Sequence, residues 1–356
     1  MTKTFGRDKA VDDLSLTVEP GRFTVLCGPP KSGKSTLFRL LVGLEKADGG
    51  RILADGVDIT DLPPGGRNFG YVPQSFALYP HMTVFENIAY PLRLARAPSA
   101  EVAKRVERSA AMLSIGHLMK KTPDQLSGGE KQRVAVARGL LTNASVFVLD
   151  DPLVGLDYKL RERLMDDLKH LCEELQATFF YATADSLEAL TMAQDLVVID
   201  DGRVVEKDDV LDLYREPRFA RSVELIGFPK ANVWNGTARD GVVETGGLRF
   251  ALPPDVPDGT VRFGLRPEDV RLDGAGEMGA KASVRIVEHL GSEIVVYLES
   301  EGMPMTAAFP SAHAALPEID AEVRIAIDPE RIMIFDAATG ERIGRAQPHK
   351  EAVAHG

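Results

Sequence analysis

The sequence predicts two domains of different class, an α/β domain with a mainly parallel sheet followed by a small all-β barrel. In the first part of the chain, apolar runs alternate with helical patterns up to about residue 220. After residue 230, short alternating segments punctuated by Gly, Pro and Asp replace the helices. The length of 356 residues agrees with roughly two domains of about 150 residues each.

The first domain begins with a clear strand and helix. Residues 23–27 form an apolar run that ends at a glycine, and residues 36–44 carry leucines on helical spacing. Later segments repeat this alternation and are predicted as strands at 146–149, 177–182 and 196–199 and an amphipathic helix at 160–175.

The second domain is predicted from period-two segments at 261–265, 283–287, 294–298 and 323–327. We place the domains at 1–225 and 230–342. Residues 343–356 lack periodicity, so a disordered tail is expected there.

Composition excludes several classes of protein. The net charge of −11 argues against a general binder of nucleic acid or anionic membranes. The chain has no apolar run of about 18 residues for a membrane span and no signal-peptide pattern at its start. Its cysteines, Cys27 and Cys172, form neither a disulfide framework nor a metal site. A cytoplasmic protein is expected.

Residues 28–35, GPPKSGKS, fit the phosphate-loop pattern G-x-x-x-x-G-K-[ST]. A strand precedes the loop and a helix follows it, so backbone N–H groups and a helix N-terminus face a phosphate. Lys34 supplies a charge at the β- and γ-phosphates, Ser35 ligates Mg²⁺, and Asp150 helps to hold that ion. The predicted ligands are ATP and Mg²⁺. The predicted loop residues are Gly28, Pro29, Pro30, Lys31, Ser32, Gly33, Lys34, Ser35 and Thr36.

Residues 126–140, LSGGEKQRVAVARGL, resemble the signature motif and helix of ABC-transporter ATPases. The resemblance covers nearly the whole chain and implies a P-loop NTPase domain with a helical signature subdomain. It implies that Phe5 stacks on adenine and that Gln74 senses Mg²⁺ and contacts the transmembrane partner. The remaining implied residues are the signature Ser127, Gly128, Gly129 and Glu130, which contact a partner's ATP, and Asp157 of the D-loop.

Other segments resemble carbohydrate importers of the MalK/UgpC type. They are residues 77–84, 86–88, 264–268, 287–291 and 335–340. The resemblance implies a C-terminal OB-like barrel of the TOBE type and a carbohydrate, polyol or glycerol-type cargo. It also implies a second ATPase subunit, two permeases and, indirectly, a solute-binding protein, at the cytoplasmic face of the membrane. His81 and His289 fall in non-catalytic segments of the family, so we interpret both as structural.

The catalytic positions depart from the family. Asp151 stands where the family has the glutamate that polarises water, and its side chain is about 1.5 Å shorter. A misplacement of about 1 Å costs on the order of 100-fold in rate. Ala184 stands at the switch-histidine position, and no histidine lies between His170 and His289. Loss of such a group costs about 10²–10⁴.

Two departures lie in the phosphate loop itself. Pro30 removes a backbone N–H, and Lys31 replaces a glycine. The resemblance also places a short strand before Phe5. Because the chain begins almost at that residue, we expect an incomplete sheet edge or a late start.

These departures suggest the degenerate member of a heterodimeric ATPase pair, with a signature that serves the partner's site. The alternatives are a homodimeric importer ATPase of low rate and an ATP-gated, non-catalytic regulatory subunit. A soluble translation or repair ATPase fits less well, because such proteins usually lack residues like 77–81 and the barrel.

Overall fold

The chain forms two compact units, Met1–Val210 and Leu211–Gly356, in the computed structural model. The structure describes residues 1–142, 144–272, 278–311 and 317–348. The division between the units falls after residue 210. The buried guanidinium of Arg266 shows why, since it donates to the carbonyl oxygens of Tyr214 at 3.0 Å and Val223 at 3.3 Å.

The first unit is built on a six-stranded sheet flanked by two small antiparallel pairs. Its strands are β1 Lys3–Phe5, β2 Asp8–Val11, β3 Phe23–Cys27, β4 Leu53–Ala54, β5 Val57–Asp58, β6 Phe69–Val72, β7 Val146–Asp150, β8 Thr178–Thr183, β9 Asp195–Asp200 and β10 Arg203–Asp209. The large sheet has the order β10-β9-β3-β8-β7-β6, and all its pairs are parallel except β9 with β10. The predicted strands all occur, with ends shifted by one residue at most.

Helices cover the sheet and form a separate helical layer. They are α1 Lys34–Leu41, α2 Pro64–Arg67, α3 Val84–Leu94, α4 Ser99–Met112, α5 Gly128–Leu140, α6 Tyr158–Leu175 and α7 Ser186–Met192. Helices α3, α4 and α5 pack together, as the predicted helical subdomain requires. Among the described residues, no helix is both long and apolar enough to span a bilayer.

Helix α1 differs from the prediction of 36–44. It starts at Lys34, directly after the glycine loop, and ends at Leu41. Gly43 lies at φ +79°, a left-handed conformation that stops the helix, and its Cβ position is 2.8 Å from Nε of Arg67. Leu44 therefore lies beyond the helix and is exposed.

The parallel core positions the loops that carry the motifs. Every residue of β3 and β8 is buried, because helices cover both faces of a parallel sheet. The carboxyl ends of β3, β7 and β8 meet at one edge of this sheet. The segments that follow these strands begin at Gly28, Asp151 and Ala184, so the sheet brings the three sequence motifs together.

The second unit consists of two antiparallel sheets with short helices before them. Its elements are α8 Val210–Arg215, α9 Ala220–Leu225, β11 Asn232–Arg239, β12 Val242–Thr245, β13 Leu248–Ala251, β14 Gly259–Leu265, β15 Val270–Leu272, β16 Met278–His289, β17 Glu293–Ser300, β18 Met303–Pro310, β19 Glu322–Ile327, β20 Met333–Asp336 and β21 Arg342–Arg345. The sheet orders are β13-β12-β11-β14-β20-β21 and β15-β19-β16-β17-β18. One apolar core that includes Phe250 and Phe263 joins the sheets, which confirms the predicted all-β class.

The structure differs from the predicted tail at residues 343–348. Strand β21 pairs with β20, and the side chain of Ala346 is buried in the core. The backbone of Gln347 exchanges two hydrogen bonds with Ala251, both of 2.9–3.0 Å. Backbone pairing and one buried methyl group therefore order a segment that lacks periodicity. The rest of the predicted tail, 349–356, lies outside the described residues.

Candidate functional site

Two glycines shape the loop between β3 and α1. A Cβ at Gly28 would lie 2.1 Å from the carbonyl oxygen of Ile199. A Cβ at Gly33 would lie 2.2 Å from the carbonyl oxygen of Ala10, and Gly33 has φ +102°. Both positions therefore exclude any side chain, and the backbone turns tightly enough to direct its N–H groups inward. The result is a concave loop at the N-terminus of α1.

Lys34 lies across this loop. Its side chain is 9% exposed, and its ammonium donates to the carbonyl oxygens of Gly28 at 2.7 Å and Pro29 at 2.9 Å. Burial lowers the pKa of Lys34. The loop thus holds a partly desolvated cation at its centre, where the cation can contact a bound phosphate group.

Ser35 and Asp150 form an oxygen pair beside the loop. The Ser35 hydroxyl donates to Oδ1 of Asp150 at 3.0 Å. Asp150 is 3% exposed, and burial raises its pKa, although the Ser35 hydrogen bond opposes that change. A hydroxyl and a carboxylate are hard oxygen ligands of the kind that Mg²⁺ prefers.

These groups fit a nucleotide and its metal ion. The loop supplies backbone donors and a cation for phosphates, and the Ser35–Asp150 pair supplies oxygens. No described residues form a cluster of three or more His, Cys, Asp or Glu suited to a metal. Mg²⁺ does not need one, since it usually keeps waters and takes further oxygens from substrate phosphates.

The other residues of the phosphate loop affect its N–H donors and its backbone conformation. Pro29 and Pro30 have no backbone N–H to offer. Lys31 is exposed and has φ +68°, a left-handed conformation that is unusual for lysine. Ser32 is buried, and its carbonyl oxygen accepts from the N–H of Gly202 at 3.0 Å. Thr36 is half-buried in the first turn of α1.

Phe5 lies on the hairpin that borders the loop. It ends β1, pairs with Asp8 of β2, and is 48% exposed. The ammonium of Lys3 lies 5.2 Å from its ring centroid. Strand β2 also carries Ala10, whose carbonyl oxygen abuts Gly33. An exposed aromatic ring thus stands on the strand pair next to the phosphate loop.

Gln74 is exposed just after β6, the strand beside β7. Helix α5 supports the segment that follows it. Arg138 donates to the carbonyl oxygens of Ala77 at 2.7 Å and Phe76 at 3.1 Å, and its guanidinium lies 5.2 Å from the Tyr79 ring centroid. The predicted Mg²⁺-sensing segment is therefore tied to the signature helix.

The signature residues begin α5 with reciprocal hydrogen bonds. The N–H of Ser127 donates to the Glu130 carboxylate at 2.7 Å, and the N–H of Glu130 donates to the Ser127 hydroxyl at 3.3 Å. The first of these bonds lowers the pKa of Glu130. Ser127 and Gly128 are exposed, and Gly129 is half-buried. The positive end of a 13-residue helix is thus open to an anion from outside.

A cleft of about 370 Å³ lies beyond the ends of β7 and β8. Its lining residues are Asp151, Leu153, Val154, Arg161, Thr183, Ala184, Asp185 and Glu188. Asp151 has φ +50°, and its N–H donates to the carbonyl oxygen of Ala182 at 2.9 Å. Burial and the neighbouring Glu188 raise the pKa of Asp151 to about 6. Ala184 contributes only a methyl group, so the side chains at 151 and 184 supply a short carboxylate and no imidazole.

Helix starts frame this cleft. Asp157 caps α6 by accepting from the N–H of Leu160 at 3.1 Å. Asp185 caps α7 by accepting from the N–H groups of Leu187 at 2.9 Å and Glu188 at 3.1 Å. The predicted D-loop aspartate therefore has a local structural role at the start of its helix.

Sequence reasoning missed two residues of the cleft, Glu188 and Arg161. Glu188 is 5% exposed, and burial raises its pKa. A terminal nitrogen of Arg161 lies 3.6 Å from Oδ2 of Asp185, and its Nε is buried without a hydrogen bond. Both residues lie in the first turn of a helix that follows a motif. Asp157 and Asp185 cap these two helices, so a charged residue in the turn that follows each aspartate is the sequence signal for Arg161 and Glu188.

Comparison with known proteins places both units in described families. A family model described as ABC transporter matches residues 11–154, and a model described as TOBE domain matches residues 263–335. The first match spans the phosphate loop, the signature and Asp151, and the second lies in the all-β unit.

Similar proteins match the chain over nearly its whole length. The trehalose/maltose import ATP-binding protein MalK of Thermococcus litoralis is 36% identical, with 96% of this chain and 97% of that protein covered. The sn-glycerol-3-phosphate import ATP-binding protein UgpC of Cereibacter sphaeroides is also 36% identical, with the same coverage.

A solved structure matches the first unit. It is the dimeric ATP-binding cassette MJ0796 in a post-hydrolysis state bound to ADP and phosphate, which is 31% identical with a TM-score of 0.55. The match covers 59% of this chain and 95% of that one.

Proposed function

The chain belongs to the ABC transporter family, and we propose that it is the ATP-binding, energy-coupling subunit of an importer for a carbohydrate, polyol or glycerol-type solute. Its full-length relatives include import proteins named for trehalose and maltose and for glycerol phosphate. The likeness extends over both units, and the second unit matches the TOBE domain. We infer ATP and Mg²⁺ as ligands, because nucleotide binding is a property of the family.

We further propose that this subunit is the degenerate member of a heterodimeric ATPase pair. The observation that carries this proposal is the cleft at the ends of β7 and β8. Asp151 presents a carboxylate one methylene shorter than glutamate, and Ala184 presents no hydrogen-bond donor. A hydrolytic site needs a positioned base and a group that stabilises the charge developing on the γ-phosphate.

Nucleotide binding requires other residues, which the chain retains. The loop N–H groups and Lys34 would hold the β- and γ-phosphates, and Phe5 would stack on the base. Ser35, Gln74 and Asp150 would hold Mg²⁺ directly or through water. The metal ion, when bound, neutralises phosphate charge. The proposed outcome is tight binding with slow hydrolysis.

The signature residues have a separate role in the proposal. Ser127, Gly128 and Gly129 stand at an open helix N-terminus, where they would contact the γ-phosphate of ATP bound to the partner ATPase. Glu130 caps this helix, and Asp157 fixes the start of α6. The chain would therefore complete a competent site in its partner while its own site holds ATP.

The proposed assembly has four core subunits. ATP closes the two ATPase subunits against each other, and two permease subunits convert that closure into transport. A solute-binding protein delivers the cargo from the other side. We place this subunit peripherally at the cytoplasmic face of the membrane, with no nucleic-acid partner.

ATP turnover by the purified chain, alone and with its partner ATPase, tests the proposal. We expect near-zero turnover alone and normal turnover in the mixture. Asp151→Glu combined with Ala184→His should raise turnover of the chain alone by about 100-fold or more. Ordinary turnover by the unmodified chain alone would contradict the degenerate assignment and leave the importer assignment standing.

A homodimeric ATPase of low rate is the second candidate, favoured by one observation. The pKa of about 6 at Asp151 leaves most of this carboxylate charged at pH 7 and suited to act as a base. In that case Asp151→Asn would abolish a measurable turnover that the chain shows without any partner.

A further inference from the structure

The second unit contains a cleft of about 380 Å³ that the proposed ATPase role does not use. It lies between the start of β11 and the strands β17 and β18, with one residue from β16. The lining residues are Lys230, Ala231, Asn232, Val233, Trp234, Arg285, Tyr297, Leu298, Glu299, Pro304, Met305 and Thr306. All belong to the all-β unit, so the cleft is complete within it.

Hydrogen bonds between strands of the two sheets hold the walls of this cleft. The buried Asn232 amide donates to the carbonyl oxygen of Thr306 at 2.8 Å and accepts from its N–H at 2.6 Å. The indole N–H of Trp234 donates to the carbonyl oxygen of Pro304 at 2.8 Å, and its ring lies 5.3 Å from that of Phe263. A ligand would therefore meet walls that are already ordered, which lowers the entropic cost of binding.

The walls combine aromatic rings with polar groups. Trp234 and Tyr297 are both half-buried, so part of each ring is accessible. The Tyr297 hydroxyl donates to Glu288 over a long 3.3 Å. Apolar ring faces with polar groups close by are suited to a sugar, which presents C–H groups on one face and hydroxyls at its edge.

One cation of the lining, Lys230, is available to an anion. Lys230 forms no hydrogen bond or ion pair with any described residue. Arg285 is held loosely, since its Nε lies 3.3 Å from Glu299 and a terminal nitrogen lies 3.9 Å from Asp320. Glu299 and Asp320 lie at Arg285, and Glu288 lies at the Tyr297 hydroxyl. Among the described residues, Lys230 is therefore the cation of the lining that has no carboxylate partner. A phosphate group would satisfy the charge of Lys230.

We propose that this cleft is a binding site for a phosphorylated sugar. Its phosphate contacts Lys230, and its ring lies against Trp234 and Tyr297. The site is separate from the phosphate loop and needs neither ATP nor a partner subunit. Its test therefore stands apart from the test of the ATPase role.

Trp234 is the only tryptophan of the chain, so its fluorescence reports on the cleft directly. The full chain is titrated with glucose 6-phosphate, with glucose and with inorganic phosphate, and calorimetry repeats each titration. We expect saturable binding of glucose 6-phosphate at lower concentration than of either part alone. Absence of saturable binding by both methods would overturn the proposal. Equal affinity for inorganic phosphate would overturn its sugar component.

Substitutions then locate the site. Lys230→Gln and Tyr297→Ala should each weaken binding of glucose 6-phosphate about tenfold. Lys281→Gln is the matched control, because Lys281 is a lysine of the same unit that pairs with Glu322 outside the cleft. If Tyr297→Ala unfolds the unit, Tyr297→Leu replaces it. Unchanged affinity in Lys230→Gln would contradict the assignment of the phosphate.

Discussion

The phosphate loop and the cleft at Asp151 and Ala184 lie at the same edge of one sheet, and they depend on different features. The loop acts through backbone geometry, which Gly28 and Gly33 fix by close approaches of 2.1 and 2.2 Å. The cleft acts through single side chains. A loop of this kind keeps its shape with Pro30 and Lys31 in it. In the cleft, by contrast, the proposed loss of hydrolysis depends on the single side chains at positions 151 and 184.

Gly33→Ala should have the largest effect, and it tests the role of backbone geometry in the phosphate loop. The added Cβ would overlap the carbonyl oxygen of Ala10, and φ +102° is strained for alanine. We expect the affinity for ATP to fall about 100-fold or more, because several phosphate contacts are lost together. Equilibrium binding of a fluorescent ATP analogue measures the loss. Gly65→Ala is the control, since a Cβ there has no neighbour within 4 Å. Unchanged affinity in Gly33→Ala would show that ATP binds elsewhere.

Ser127→Ala separates the two ATP sites of the proposed pair. We expect turnover of the mixture with the partner ATPase to fall roughly 10- to 100-fold, while ATP binding by the isolated chain stays the same. Thr83→Ala is the control, because Thr83 caps α3 through the same reciprocal bonds with Glu86 and lies outside the signature. Equal losses of turnover in Ser127→Ala and Thr83→Ala would mean that Ser127 acts only by capping α5.

Asp151→Asn has the smallest expected effect and concerns the free energy of unfolding. The pKa of Asp151 is about 6 in the folded chain, against an ordinary value of 3.8 for aspartate. The folded state therefore binds a proton at Asp151 more tightly than the unfolded state does. The free energy of unfolding falls as pH rises from about 4 to 6.

Asparagine removes that penalty, so Asp151→Asn should stabilise the chain more at pH 8 than at pH 5. Because Asp151 is only half-buried, solvent screening limits this difference to about 1 kcal/mol or less. Urea unfolding at both pH values measures this difference. Asp201→Asn, at an exposed aspartate that is also left-handed at φ +44°, controls for the substitution. A gain independent of pH would mean that desolvation does not raise the pKa of Asp151.

Local patterns predict the framework of the first unit well. The strands around residues 23–27 and 146–149 lie where the apolar runs predict them. A parallel strand that is buried on both faces must consist almost entirely of apolar residues, so its sequence is easily recognised. The end of α1 was misplaced, since Gly43 acts through its backbone and its approach to Arg67. Residues 343–348 were misplaced as well, since pairing with distant strands orders them without any periodic pattern.

The sequence by itself determined the family, the two unit classes and the phosphate-loop and signature motifs, because each is written in consecutive residues with local spacing. Only the tertiary structure decided what surrounds Asp151 and Ala184. Glu188 and Arg161 reach that cleft from two helices, and the cleft of the second unit joins residues of four strands and the segment before them. Distances between side chains that lie far apart in the chain depend on how sheets and helices pack, and a linear pattern does not record them.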